Sequence, residues 1–263
     1  MGLVAFKGGL LSQSLESQYG GSARRSPPNQ DGIVHWYDFS DLTTLYTDAG
    51  LTTNATAHED EIAAMTDKGY GGDVLYSGAS TDPEVDLTTH IRPSALFLNQ
   101  TMNADTEVNS GIVAPLVAPW TCMAIAATEQ TGNVQYVTYW SSLAWTSVAI
   151  TAGDVVYTHG SGDPSTGTVS ADTVFAAIAH WDEAASVVDH IYNLDAASVA
   201  ETNAAAAIAA NRTMRIGAST AAASVEDFGG NIMEIIWWDH SLNGSDLNAA
   251  KDYAATKWGV VWA

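Results

Sequence analysis

The stretch FGGNIMEIIWWDHSLNGSDLNAAKDYAATKW, residues 228–258, decides how the rest of the chain is read. Ile232, Met233, Ile235, Ile236, Trp237 and Trp238 form a short apolar run broken by Glu234 alone, between Gly229-Gly230 and the polar turn Asp239-His240-Ser241. A run of that length, rich in branched and aromatic side chains, predicts a buried β-strand. Neighbouring strand residues face opposite sides, so one of Trp237 and Trp238 enters the core and the other packs under the final helix or a loop. Downstream, Ser245 or Asp246 is a candidate N-cap. Leu247, Ala250, Tyr253, Ala254 and Trp258 then recur at three-four spacing, which predicts a short amphipathic helix closed by Gly259.

Upstream, short strand candidates recur between turns rich in Gly, Ser and Asn: Ile33–Phe39, Val74–Tyr76, Ser94–Leu98, Thr106–Val108, Trp120–Ala127, Asn133–Tyr139, Trp145–Ile150, Val155–Thr158, Thr173–His180, Val187–Asn193 and Thr213–Ile216. This cadence predicts a β-sandwich or barrel. Thr173–His180 and Val187–Asn193 read as a hairpin. Between Ala49 and Thr89 only 74–76 has the composition of a strand. Ala196–Ala210 is Ala-rich and helical by propensity, but helix, strand and loop all stay open there.

The chain carries 9 Lys and Arg against 30 Asp and Glu, a net charge of −21. Residues 1–30 hold Lys7, Arg24 and Arg25 against Glu16, a net of +2, so the remainder carries −23. An acidic body argues against nucleic-acid binding and against anionic membrane surfaces. No apolar run approaches ~18–20 residues, the length of a transmembrane helix, and no signal-peptide pattern is read at the N-terminus. The single Cys122 excludes an internal disulfide and is expected to be a buried small hydrophobe.

Residues 1–30 differ from the rest. Leu3, Val4, Phe6, Leu10, Leu11 and Leu15 follow no sustained period, and Gly and Pro clusters divide the segment. It reads as a solvated tail or as an extended arm, with Lys7, Arg24 and Arg25, that docks on a partner.

Two sets of residues carry a resemblance. Phe228, Gly230, Ile232, Glu234-Ile235, Trp238 and Leu242, followed by Tyr253-Ala254-Ala255-Thr256-Lys257-Trp258-Gly259, resemble the closing signature of concanavalin A-like (laminin-G-like) jelly-roll domains. Trp36, Asp38, Ser40-Asp41, Thr44-Leu45 and Asp48 resemble the opening of such domains on tailed-bacteriophage virion proteins. The resemblance implies an all-β jelly-roll sandwich over 31–263 with a short C-terminal helix, and makes 1–30 an attachment arm. It implies a non-enzymatic capsid decoration or head-fibre-like protein. Such a protein would be made in the host cytoplasm and held on the outer capsid surface by the major capsid protein or another virion protein. A homo-oligomer is expected, a trimer favoured. The fold also hosts lectins and glycanases. The alternative is therefore a carbohydrate-binding (receptor-binding or adhesion) module, and a glycoside hydrolase comes third.

The chemistry expected from side chains is sparse. A glycanase needs paired carboxylates. The E-x-D-x-x-E pattern of laminarinase-type relatives is absent, Glu84-Val85-Asp86 lying in a Pro-containing loop without a third acid, and Glu234 is expected to be structural. No G-x-S-x-G elbow accompanies the seven His. His180 and His190 flank the expected hairpin and would hold a metal only if they face each other. Weak calcium candidates are Asp82, Glu84 and Asp86, or Glu226 and Asp227; no other cofactor is expected. Candidate sugar-stacking residues are Tyr139, Trp140, Trp145 and Trp181, each of which also fits a core position.

Overall fold

A computed structural model describes residues 26–77, 82–98, 102–104, 120–129, 135–140, 146–151, 154–159, 165–182, 187–193, 199–201, 214–217 and 228–263. In chain order the strands are β1 (Ile33–Asp38), β2 (Leu45–Tyr46), β3 (Ala64–Thr66), β4 (Val74–Ser77), β5 (Glu84–Asp86), β6 (Ser94–Leu98), β7 (Met102–Ala104), β8 (Thr121–Thr128) and β9 (Gln135–Trp140). They continue as β10 (Thr146–Thr151), β11 (Asp154–His159), β12 (Ser165–Thr168), β13 (Val174–Asp182), β14 (Val187–Tyr192), β15 (Val199–Glu201), β16 (Met214–Ile216) and β17 (Gly229–Trp238), before helix α1 (Gly244–Trp258). An eight-stranded sheet runs β15-β14-β13-β8-β17-β6-β5, with β1 also on β17, and a nine-stranded sheet runs β12-β11-β10-β9-β16-β7-β4-β3-β2.

The strand of the opening stretch, β17, is the hub of the first sheet. It pairs with β8 along one side, and with β6 and then β1 along the other. A bulge between Ile232 and Glu234 inserts one residue. Ile232 and Ile235, three apart, can therefore both face the second sheet, while Met233 turns to the opposite side. Gly230 sits at φ 144°, and a Cβ there would collide with the Ala127 carbonyl, so only glycine fits beside β8.

Two apolar clusters result. The first lies between the sheets and collects Tyr37, Phe97, Cys122, Phe175, Ile235 and Trp237 from one side and Leu45, Met65, Leu75, Val137, Val148, Met214 and Ile216 from the other. The second lies on the outer face of the eight-stranded sheet, where Met123, Ile125, Ile178, Ile236 and Trp238 are roofed by Leu242, Ala250, Tyr253, Ala254 and Trp258. Trp237 and Trp238 thus take opposite faces, and both are fully buried. Cys122 is buried as expected, and burial pushes its thiol pKa up.

Several details differ from the sequence reading. Among the described residues between Ala49 and Thr89 there are three strands rather than one, because β3 and β5 are each three residues long and too short to show a period. Glu84-Val85-Asp86 is therefore an edge strand, not a loop. The helix starts earlier than expected, with Asn243 in extended conformation as its N-cap instead of Ser245 or Asp246; Gly259 closes it at φ 73°. Val199–Glu201, inside the Ala-rich stretch, is a strand on β14, where ladder pairing overrides helix propensity. Thr106–Val108 lies outside the described residues.

The arm candidates Leu3, Val4, Phe6, Lys7, Leu10, Leu11, Leu15, Arg24 and Arg25 also lie outside the described residues. Pro27 and Pro28, however, are buried, and the Trp238 indole donates to the Pro28 carbonyl at 3.0 Å. The body of the domain thus engages the chain before Asp31. A chain starting at Asp31 loses this bond, worth about 1 kcal/mol, and the cover of two prolines, and should melt below one starting at Ser26. Equal melting temperatures for both truncations would show that the Pro28 contact contributes nothing.

Candidate functional site

The two halves of the sequence signature meet in one buried polar knot. β1 supplies Trp36 and Asp38, β17 supplies Glu234, and α1 supplies Tyr253, Lys257 and Trp258. Glu234 Oε1 accepts from Trp36 Nε1 (2.6 Å), Tyr253 OH (2.6 Å) and Lys257 Nζ (3.1 Å), and Oε2 accepts from Trp258 Nε1 (2.7 Å). Lys257 also reaches Asp38 Oδ1 at 2.8 Å, and Lys68 bridges Asp38 Oδ2 (3.1 Å) and Asp41 Oδ2 (2.8 Å). Burial pushes the Glu234 carboxyl above its ordinary range, helped by the Asp38 charge and opposed by Lys257. Burial also opposes ionisation of Asp38, but Lys257 and Lys68 outweigh it and hold that carboxyl below its usual value. Every polar partner of Glu234 is a donor, so the group fastens helix to sheet and is not available as a catalytic acid.

The weak calcium candidates fare similarly. Asp86 Oδ1 accepts from the Thr88 amide (2.8 Å), Thr88 Oγ1 (3.0 Å) and the Thr89 amide (3.2 Å), and Oδ2 accepts from Asn231 Nδ2 (2.9 Å). Burial works against its charge, yet these donors hold its carboxyl well below the ordinary range. Among the described residues no group of three or more His, Cys, Asp or Glu could hold a metal ion; Glu226 and Asp227 lie outside them. The hairpin β13–β14 forms as expected, but its register pairs His180 with Asp189 and His190 with Ala179. The two histidines are one residue out of step, hence on opposite faces, and cannot share a metal as the spacing had suggested. His180 Nδ1 lies 3.2 Å from Ser241 Oγ instead.

A further candidate surface is the outer face of the nine-stranded sheet. Helix α1 covers the other sheet, and among the described residues no helix covers this one. Ladder register sets its composition. Leu45, Met65, Leu75, Met214, Ile216 and Val148 face the inter-sheet core, so the alternate positions face outward. Following the pairings from strand to strand, one row reads Tyr46, Ala64, Tyr76, Asn103, Arg215, Tyr139, Ser147 and Thr158. It crosses eight strands and contains no acid, although the chain holds 30. Ala64 is buried while Tyr46 and Tyr76 on either side of it remain partly exposed. From Tyr76 to Tyr139 the row crosses three strand gaps, about 14 Å at ~4.8 Å each.

Of the expected sugar-stacking residues, Tyr139 falls in this row. Trp140 pairs with the core residue Met214 and so occupies a core-side position. Trp181 lies in β13, on the eight-stranded sheet, where it pairs with Val188. Trp145 lies outside the described residues. Tyr76, Asn103 and Arg215 were missed by sequence reasoning; the only local hint was the alternation Met214-Arg215-Ile216.

No family model and no curated protein matches this chain. Solved structures do. Domain 4 of AbnA, a GH43 extracellular arabinanase from Geobacillus stearothermophilus, in complex with arabinotriose, is 14% identical, with 84% of this chain and 98% of that chain covered and a TM-score of 0.51. A native heptameric SAP-like pentraxin from Limulus polyphemus is 12% identical over 54% of this chain and 70% of that one, with a TM-score of 0.41. The Ruminococcus gnavus IT-sialidase CBM40 bound to α2,3 sialyllactose is 12% identical over 52% and 83%, with a TM-score of 0.39. At these identities the likeness is one of fold. The chain is a jelly-roll β-sandwich with one short C-terminal helix, as the signature implied, and none of the three structures is described as a virion component.

Proposed function

We propose that this chain is a non-catalytic carbohydrate-binding module that holds its glycan on the outer face of the nine-stranded sheet. The outward row carries the proposal. Its tyrosine positions offer flat apolar rings for sugar C–H faces, and its amide, guanidinium and hydroxyl groups offer hydrogen bonds to sugar hydroxyls, the usual division of labour in a ligand site. The jelly-roll likeness to an arabinanase domain in complex with arabinotriose supports the reading at the level of fold. The engagement of Asp38, Asp86 and Glu234 by internal donors supports binding without hydrolysis. This reading takes precedence over the capsid-decoration expectation, which no comparison supports.

A glycan array followed by titration calorimetry tests it. Tyr76→Ala and Tyr139→Ala should each weaken binding by about tenfold, equivalent to ~1.4 kcal/mol. Ile91→Ser, at an exposed position in the loop between β5 and β6 of the other sheet, should bind like the parent. Full binding by both tyrosine variants would move the site off this face.

A further inference from the structure

The charge of the row points to the class of glycan, an inference that rests on the binding reading above. Arg215 lies in β16, the fifth strand of the nine, at the centre of the sheet. Its neighbours Met214 and Ile216 are fully buried between the sheets, so alternation turns Arg215 outward, where it is partly buried. The other described cations stand elsewhere. Lys68 and Lys257 serve Asp38, Asp41 and Glu234. Arg92 Nε donates to the Lys257 carbonyl, and Lys251 stacks over Trp262. Among the described Lys and Arg, Arg215 alone sits on a strand.

A guanidinium carries five N–H donors in a planar fork, so a partner inside the chain leaves donors for a second. That fork matches a carboxylate or a sulfate through two parallel bonds. A neutral sugar hydroxyl takes a single bond from the fork, whereas an anion engages both parallel donors together with the charge. The chain, with a net charge of −21, repels polyanions at long range. One isolated negative group, met by Arg215 within an acid-free row, suffers that repulsion least. We propose that the face recognises a glycan bearing a single anionic group, carboxylate or sulfate, on an otherwise neutral chain, and that Arg215 selects for that charge.

The test uses the full chain on an array of neutral, uronate-bearing, sialylated, singly sulfated and polysulfated glycans, and affinities are then measured for each acidic hit and its carboxyl-reduced or desulfated counterpart. The expected result is binding to singly anionic glycans, with a loss of about tenfold or more on neutralising the ligand. Arg215→Gln should erase that difference, so that acidic and neutral counterparts bind alike, while Ile91→Ser keeps it; the uronate, sialyl and sulfate arms identify the source of the charge. Should Arg215→Gln fold poorly, Arg215→Lys serves: it keeps the charge, loses the fork, and should retain a reduced preference. Equal binding to acidic and neutral partners, preference for polysulfated chains, or a preference untouched in both variants overturns this inference and leaves the carbohydrate-binding reading standing. Absence of binding to every glycan overturns that reading, and this inference with it.

Discussion

Lys257→Met should destabilise the domain by about 3–5 kcal/mol, the cost of leaving buried charge without its partner. Lys257 is the cation within reach of both Asp38 Oδ1 and Glu234 Oε1, and its side chain is 10% exposed. Removing it leaves Glu234, fully buried, and Asp38, nearly so, with like charges facing each other and only Lys68 on the far oxygen of Asp38. For a domain of this size each kcal/mol moves the melting temperature by ~2–4 °C, so a drop of roughly 6–20 °C is expected in a thermal scan. The pH dependence has a definite sign. Burial already raises Glu234 in the parent, and loss of Lys257 raises it further. A carboxyl whose folded pKa lies above its unfolded value loses stability as pH rises through the folded value. The deficit of Lys257→Met should therefore be larger at pH 8 than at pH 5. A deficit that does not depend on pH would mean that Glu234 is not the group left stranded.

This knot explains why so much of the fold could be read from the chain. Trp36, Asp38, Glu234, Tyr253, Lys257 and Trp258 come from its two ends, each with a partner fixed by geometry, and each therefore appears as a recognisable spacing in the sequence. The same holds for the apolar run of β17, whose side chains are packed into clusters on both faces of the sheet.

The candidate site was not legible in that way. Tyr46, Tyr76, Asn103, Tyr139 and Arg215 become neighbours only through the ladder pairings of six strands, and beyond the alternation around Arg215 no local period marks them. The aromatic residues that stood out in the sequence did so because they are large, and size alone does not say which face of a strand they occupy. Trp140 and Tyr139 are adjacent, and register assigns them to opposite faces. His180 and His190 are set apart for the same reason: the ladder pairs His180 with Asp189 and His190 with Ala179, a register that neither strand's own sequence announces.

Trp237→Ala and Trp238→Ala should each cost about 3–5 kcal/mol, as expected for large-to-small changes at filled sites. The sequence required only one of the two to be core; the structure buries both, in separate clusters. Trp237 stands between the sheets, with its ring centroid 5.6 Å from that of Trp120. Trp238 lies under α1 among Ile33, Leu242 and Trp258, and donates to the Pro28 carbonyl. Because the two side chains belong to different clusters, their costs should add. The double variant would then lose about 6–10 kcal/mol, most or all of the ~5–15 kcal/mol that typically stabilises a domain. It should be unfolded or nearly so at 25 °C by circular dichroism, while each single variant remains folded with a lowered denaturant midpoint. Trp238→Phe separates packing from hydrogen bonding. It keeps an aromatic ring under the helix but loses the indole N–H, so in the full chain part of its cost is the bond to Pro28. In a chain starting at Asp31 that bond is already absent, and the cost of Trp238→Phe should shrink by about 1 kcal/mol. An identical cost in both chains would mean that Trp238 acts through packing alone and that the segment before Asp31 is held by other contacts.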